Sequence, residues 1–242
     1  MDMKISGSGN IPSGEYENIA VSGSAKLYGN IKCKSFSTAG VSRGVSIDCS
    51  ESLKTAGAAS FTGNISAKTI SSSGTLSCDG DTTAEGKISC AGSAKISGNV
   101  KCEQISVGGS MKLAKDLEAE KISVQGSIEC DGLMNAEEID IKAQGRVSLG
   151  SVGGSKINIS VRKAKRFFAS LSIFSGVVKN AVVKTSVEGD EIFLEYVNCP
   201  RVTGRIVTIG DGCKIDLVQY SETIEISPTA KIGRTENLKS NG

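Results

Sequence analysis

The sequence predicts an all-β chain wound as a single-stranded parallel β-helix, a three-sided solenoid of about 17 residues per coil. The first observation behind this is a register. Starting at Ile19, apolar residues recur at Phe36, Leu53, Ile70, Ile88, Ile105, Ile122 and Ile139, spaced 17 or 18 residues apart. The second is a glycine four residues after each of the first seven, at Gly23, Gly40, Gly57, Gly74, Gly92, Gly109 and Gly126, replaced after Ile139 by Ala143. The third is parity within one period. Ile88, Cys90, Ala94, Ile96, Val100 and Cys102 alternate with Ser89, Lys95, Ser97, Lys101 and Glu103, and Ile19, Val21, Ala25, Leu27, Ile31 and Cys33 fall at the same offsets. Period-two alternation marks a strand with one buried face. Three inward pairs separated by Gly-Ser, Gly-Asn or Ser-Gly corners make three sides. Coils stacked about 4.8 Å apart let each backbone amide pair with the coils above and below.

Composition agrees with a narrow interior. The 242 residues include 29 Gly, 3 Pro, no Trp and only 4% aromatics, so an aromatic-centred globular core is not expected. The 28 basic and 26 acidic residues leave a net charge of +2, which supplies no global field for nucleic acid.

Residues 1–18 carry Gly7, Gly9, Pro12 and Gly14 and read as a loose lead-in or partial first coil. The opening Met-Asp-Met-Lys-Ile-Ser-Gly has no apolar core of signal-peptide length, and no window approaches the ~20 apolar residues of a membrane span. A cytoplasmic protein is expected. Residues 19–157 form the regular solenoid. Most of the eight cysteines fall at inward offsets within it, where free Cys packs as a small hydrophobe; Cys199 and Cys213 lie later, with their facing open. There is no Cys-x-x-Cys and no histidine, so zinc-ligand spacing is missing. Cys33 and Cys49 are the one pair whose positions in adjacent coils bring them within bridging reach, and a reducing cytosol should keep them as thiols.

The step continues through Ile157, Phe174, Ile192, Ile209 and Ile226. Residues 158–186 break the local pattern and read as irregular coils or a loop excursion. They contain the basic-aromatic run Arg162, Lys163, Lys165, Arg166, Phe167 and Phe168, the candidate lipid or partner contact. Cations beside two phenylalanines could combine surface attraction with shallow insertion into anionic lipid. The favoured reading is a loop whose phenylalanines fold back on the solenoid while the charges stay solvated, because no amphipathic period is sustained. It expects weak or no membrane contact, measured as near-absent co-sedimentation with anionic vesicles at low salt. Strong, salt-sensitive binding that is lost when all four cations become Ser would overturn it. Residues 187–233 return to plain alternation as C-terminal coils, and 234–242 are polar and expected to be a disordered tail.

No residue is assigned to catalysis, and no cofactor or metal is expected. The turn from Ile209 to Ile215 is like those of solenoid acyltransferases, which generally use a histidine base that this chain lacks. The stretch from Gly80 to Ile88 superficially resembles a phosphate loop. It has five residues between its glycines instead of four, and Ile88 stands where Ser or Thr should bind magnesium. Asp79, Asp81 and Glu85 could cluster as carboxylates, though solvated corners explain them better.

The segment Val187-Glu188-Gly189-Asp190-Glu191-Ile192-Phe193-Leu194-Glu195, with Val207-Thr208-Ile209-Gly210-Asp211-Gly212-Cys213-Lys214-Ile215 and the following Asp216 to Tyr220, resembles the bactofilin group of polymer-forming bacterial cytoskeletal proteins. The repeated Ile-x-Val-x-Gly and Gly-Asn-Ile or Gly-Asn-Val earlier in the chain look like the same group. The resemblance implies a right-handed β-helix that joins end to end into filaments without nucleotide. It also implies a scaffold at the inner face of the membrane, supporting cell-shape, envelope or motility machinery. The implied partners are the protein itself, other bactofilin-like subunits, and envelope or motility proteins.

Physics points the same way, since a solenoid has two open ends of unpaired strands that a soluble monomer must cap. No capping helix is evident, and Ile224, Ile226 and Ile232 are the candidate polymer-end residues. The alternative is a non-polymerising solenoid that presents partner sites along its faces.

Overall fold

A computed structural model describes residues 1–161 and 180–239 of the chain. Among them there is no helix, and every strand pairing is parallel, in a stack of about 13 turns. The first side is a column through Met3, Ile19, Phe36, Leu53, Ile70, Ile88, Ile105, Ile122, Ile139, Ile157, Ile192, Val207 and Ile224. The second side begins with Ser8–Ile11 and ends with Ile232 over Ile215. The third begins at Gly14, Glu15 and Tyr16 over Ile31, Lys32 and Cys33, and ends at Thr235, Glu236 and Asn237 over Val218, Gln219 and Tyr220. All six inward positions of the coil from Ile88 to Cys102 are buried, as are those from Ile19 to Cys33. The interior also admits a few hydroxyls at inward positions: Thr38, Ser42, Thr55, Ser72 and Thr82 are buried.

Of the two readings of residues 1–18, a loose lead-in or a partial first coil, the structure has the coil: Met3–Ile5 and Ser8–Ile11 pair in register with the next one, because a coil needs only alternate inward side chains and tolerates glycine at its corners. Three sequence expectations are corrected. Ile157 pairs directly with Ile192, so no position intervenes between them in the first-side column, and Phe174, the expected marker, lies outside the described residues. The column then passes through Val207 and Ile224 rather than Ile209 and Ile226, which sit two residues on with the same inward parity. Finally, the tail expected from residue 234 onward begins as strand: Lys231–Asn237 pairs with the coil below. Its polar composition suits a strand whose outer edge pairs with no described residue. Cys199 and Cys213, left open by the sequence, are both buried.

The periodic glycine has a steric cause. At the corner between the first and second sides the backbones stack directly. The amides of Val41, Ala58 and Thr75 donate to the carbonyls of Gly23, Gly40 and Gly57 over 2.8 Å. A Cβ added at Gly40, Gly57, Gly74, Gly92, Gly109 or Gly126 would overlap the carbonyl oxygen of the glycine one coil below. Gly108 differs, since a Cβ there would meet open space. Gly74→Ala should therefore destabilise the fold by about 2 kcal/mol or more, because backbone on both sides must shift. Gly108→Ala should be close to neutral, and comparison of the two denaturant midpoints tests the assignment.

Candidate functional site

The residues that distinguish the ends from the middle of the stack are the candidate site. In the middle, Ile105, Ile122 and Ile139 are covered above and below and are 1%, 0% and 1% exposed. At the C-terminal end Ile224 and Ile226 lie over Val207 and Ile209, Ile232 lies over Ile215, and no described residue pairs with their outer edges. Ile226 is 41% exposed, while Ile224 and Ile232 are half-buried and packed against the core with Tyr220 and Ala230. The three isoleucines that the sequence singles out are thus brought to one end surface on two of the three sides. The third side ends in Arg234, Thr235, Glu236 and Asn237 and is polar; the Glu236 carboxylate accepts from Gln219 Nε2 over 2.9 Å.

The corner that carries this end is built from hydroxyls around one carboxylate. Asp211 Oδ1 accepts from the Ser227 hydroxyl and, over 2.8 Å, from the Thr229 hydroxyl, and these bonds hold its carboxyl below the usual range. Gly212, with φ of +65°, lets the backbone pass against the Tyr196 ring, where a side chain would collide. Glu222 is drawn below its usual range by its hydrogen bond with Arg205, 2.7 Å away, with Lys239 at 3.6 Å adding to the effect.

The opposite end presents the outer edges of Met3–Ile5, Ser8–Ile11 and residues 14–16. Met3 and Ile5 are half-buried, and Met1 is exposed. The Asn18 side chain donates to Asp2 over 2.9 Å and the Tyr16 hydroxyl donates to the Pro12 carbonyl over 2.9 Å, which fixes this first coil without covering its edge. Both ends therefore combine strand edges that pair with no other described strand with partly exposed apolar side chains.

The other residues weighed from the sequence fall elsewhere. Arg162, Lys163, Lys165, Arg166, Phe167 and Phe168 lie outside the described residues. Thr82–Ala84 and Lys87–Cys90, within the stretch compared with a phosphate loop, are ordinary strands. Asp81 belongs to a corner ladder that sequence reading missed. Ser46 Oγ accepts from the Asn64 amide (3.1 Å), Asn64 Oδ1 from the Asp81 amide (3.0 Å) and Asp81 Oδ1 from the Asn99 amide (2.7 Å). Asp116 Oδ1 repeats the pattern with the Leu133 amide at 2.8 Å. The signal was legible in principle, because Ser46, Asn64, Asp81, Asn99 and Asp116 recur at the coil spacing. Outward ion pairs such as Lys34–Glu17, Lys101–Glu118 and Lys121–Glu138 also join successive coils, at exposed positions where each contributes little. Among the described residues no three metal-ligating side chains converge.

No family model and no solved structure matches the chain. An uncharacterized protein, YhbF of Bacillus subtilis (strain 168), is 29% identical over 87 residues, a match spanning 36% of this chain and 33% of that protein.

Proposed function

We propose that this protein is a structural scaffold that assembles end to end, without nucleotide, into filaments. The observation that supports this reading most directly is the pair of open ends, where two strand columns finish in Ile224, Ile226 and Ile232 and no described residue covers them. Strand edges of this kind gain backbone hydrogen bonds and bury apolar surface when another edge docks. The resemblance of the C-terminal segment to bactofilins adds the expectation that the filaments support cell-shape, envelope or motility machinery. The decisive measurement is sedimentation and negative-stain microscopy of the purified protein without nucleotide, across a range of concentrations. Filaments whose length grows with concentration are expected.

One observation favours a second reading, a binding module. A groove of about 360 Å³ on the first side is lined by Ile157, Asn158, Ile192, Phe193 and Thr208, and the outward Phe193 ring is 39% exposed. A chain that stays monomeric at high concentration would favour that alternative over assembly.

A further inference from the structure

We propose that Cys33 and Cys49 form an oxidation-sensitive dithiol that closes to a disulfide between the second and third coils when a peroxide reaches Cys33. The two residues are direct partners in adjacent parallel strands on the third side, and their sulfurs lie 3.4 Å apart. Directly opposed residues on neighbouring strands are separated by about 4.8 Å between Cα atoms, inside the range that a disulfide spans. The sulfurs must still move closer, and the backbone can supply that movement. The register of the third coil shifts immediately after the pair, where Ser52 rather than the next residue in step lies opposite Ser35. A bulge of this kind leaves one strand locally free of its ladder.

Access and chemistry single out this pair among the eight cysteines. Cys33 lines a surface cavity of about 480 Å³ with Tyr16, Lys32, Lys34 and Asp48, open to a small oxidant, while Cys49 is 1% exposed behind it. The two sulfurs lie within hydrogen-bonding reach of each other, and one proton held between them favours the thiolate of Cys33, which faces the cavity, and pushes the more deeply buried Cys49 thiol up. The remaining cysteines are held as thiols. Cys78, Cys90, Cys130, Cys199 and Cys213 donate to the carbonyls of Gly63, Ser110, Lys115, Arg201 and Leu194, and burial pushes the Cys102 thiol up to about 12 although it is as exposed as Cys33. Thiolate character and access together determine which cysteine oxidises.

The Cys33 thiolate attacks one oxygen of hydrogen peroxide, breaking the O–O bond to give a sulfenic acid and hydroxide. Cys49 then loses its proton and attacks the Cys33 sulfur; the S–S bond forms, the S–O bond breaks, and the departing hydroxide is protonated. Two thiols and one peroxide become one disulfide and two waters. Cys33 is the attacked residue and Cys49 the resolving one.

The full chain is treated with a small excess of hydrogen peroxide, alkylated under denaturing conditions and digested without reductant. The expected result is two fewer alkylatable cysteines than in the reduced protein, with a cross-linked peptide carrying Cys33 and Cys49 that a dithiol reductant separates. Cys49→Ala, a small-for-small change at a buried site, should instead leave Cys33 trapped by a sulfenic-acid probe. Cross-links between other cysteines would overturn the proposal. So would stepwise over-oxidation of Cys33 in the unmodified chain, or a pair left untouched while exposed Met1 oxidises.

Discussion

Ile122→Asp is expected to remove the protein from the soluble folded pool. Ile122 is fully buried, with Ile105 below it and Ile139 above it in the first-side column. A carboxylate there has no cationic or hydrogen-bonding partner within the apolar column, and burying it unpaired costs about 4 kcal/mol or more. Nearest-neighbour coupling sharpens the effect, because a defect at mid-stack weakens the interfaces on both of its faces. Two controls separate this cause from a general intolerance of the position. Ile122→Val removes one methyl group and should cost about 1 kcal/mol. Gln104→Asp puts the same carboxylate on an outward position between Lys87 and Lys121, and should melt within about 0.5 kcal/mol of the parent. Soluble Ile122→Asp protein with unchanged β-rich circular dichroism and melting temperature would show that the inward phase is wrong.

That phase was legible from the sequence because a solenoid translates each inward position into the same residue class one coil later. Within each side the buried set from Ile19 to Ile157 keeps the period-two pattern, and the odd length of a coil is taken up at a corner, as in the step of three from Cys102 to Ile105. What the pattern could not carry was the column itself once the coil length changed. Between Ile157 and its partner Ile192 lie 35 residues, close to two periods, so a step of 17 or 18 lands on Phe174 whether or not a coil is there. An insertion about one coil long is invisible to counting. Ile192 to Val207 is then a short coil of 15, and because the deficit is even, Ile209 and Ile226 remain inward while slipping out of the anchor column. Parity survives such changes and register does not.

The ends were harder for a different reason. A first coil needs only Met3, Ile5 and Ile11 as inward residues, and the glycines between them leave a loose lead-in and a partial coil indistinguishable in sequence. The last strand is polar in composition, which suggested a tail where backbone pairing makes a strand. The candidate end residues were found because they belong to the repeat, whereas the Asn and Asp corner ladder was missed because polar side chains that bond to the next coil's amides look the same in sequence as solvated ones.

Ile232→Arg should leave the monomer folded and stop its assembly. Ile232 is half-buried on the last second-side strand, over Ile215, with no described residue on its outer edge. From that position an arginine stem can lie along the apolar end while its guanidinium reaches water, so the monomer loses little. When another solenoid end docks there the same cation is trapped without a partner, and an uncompensated charge buried in an interface costs about 3–5 kcal/mol. That cost falls on the joint at its apolar part, since the third side of this end, Arg234 to Asn237, is polar and offers less surface to bury. The variant should keep β-rich circular dichroism and a cooperative melt, and should sediment as a species no larger than a dimer, because the N-terminal end can still pair. Ile226→Arg, on the first side of the same end and already 41% exposed, should act in the same direction. Long filaments from both variants would show that the C-terminal end is not a joint. Loss of filaments together with a collapsed melting temperature would place the effect in the fold instead, which is why the melt is measured on the same preparation that is sedimented.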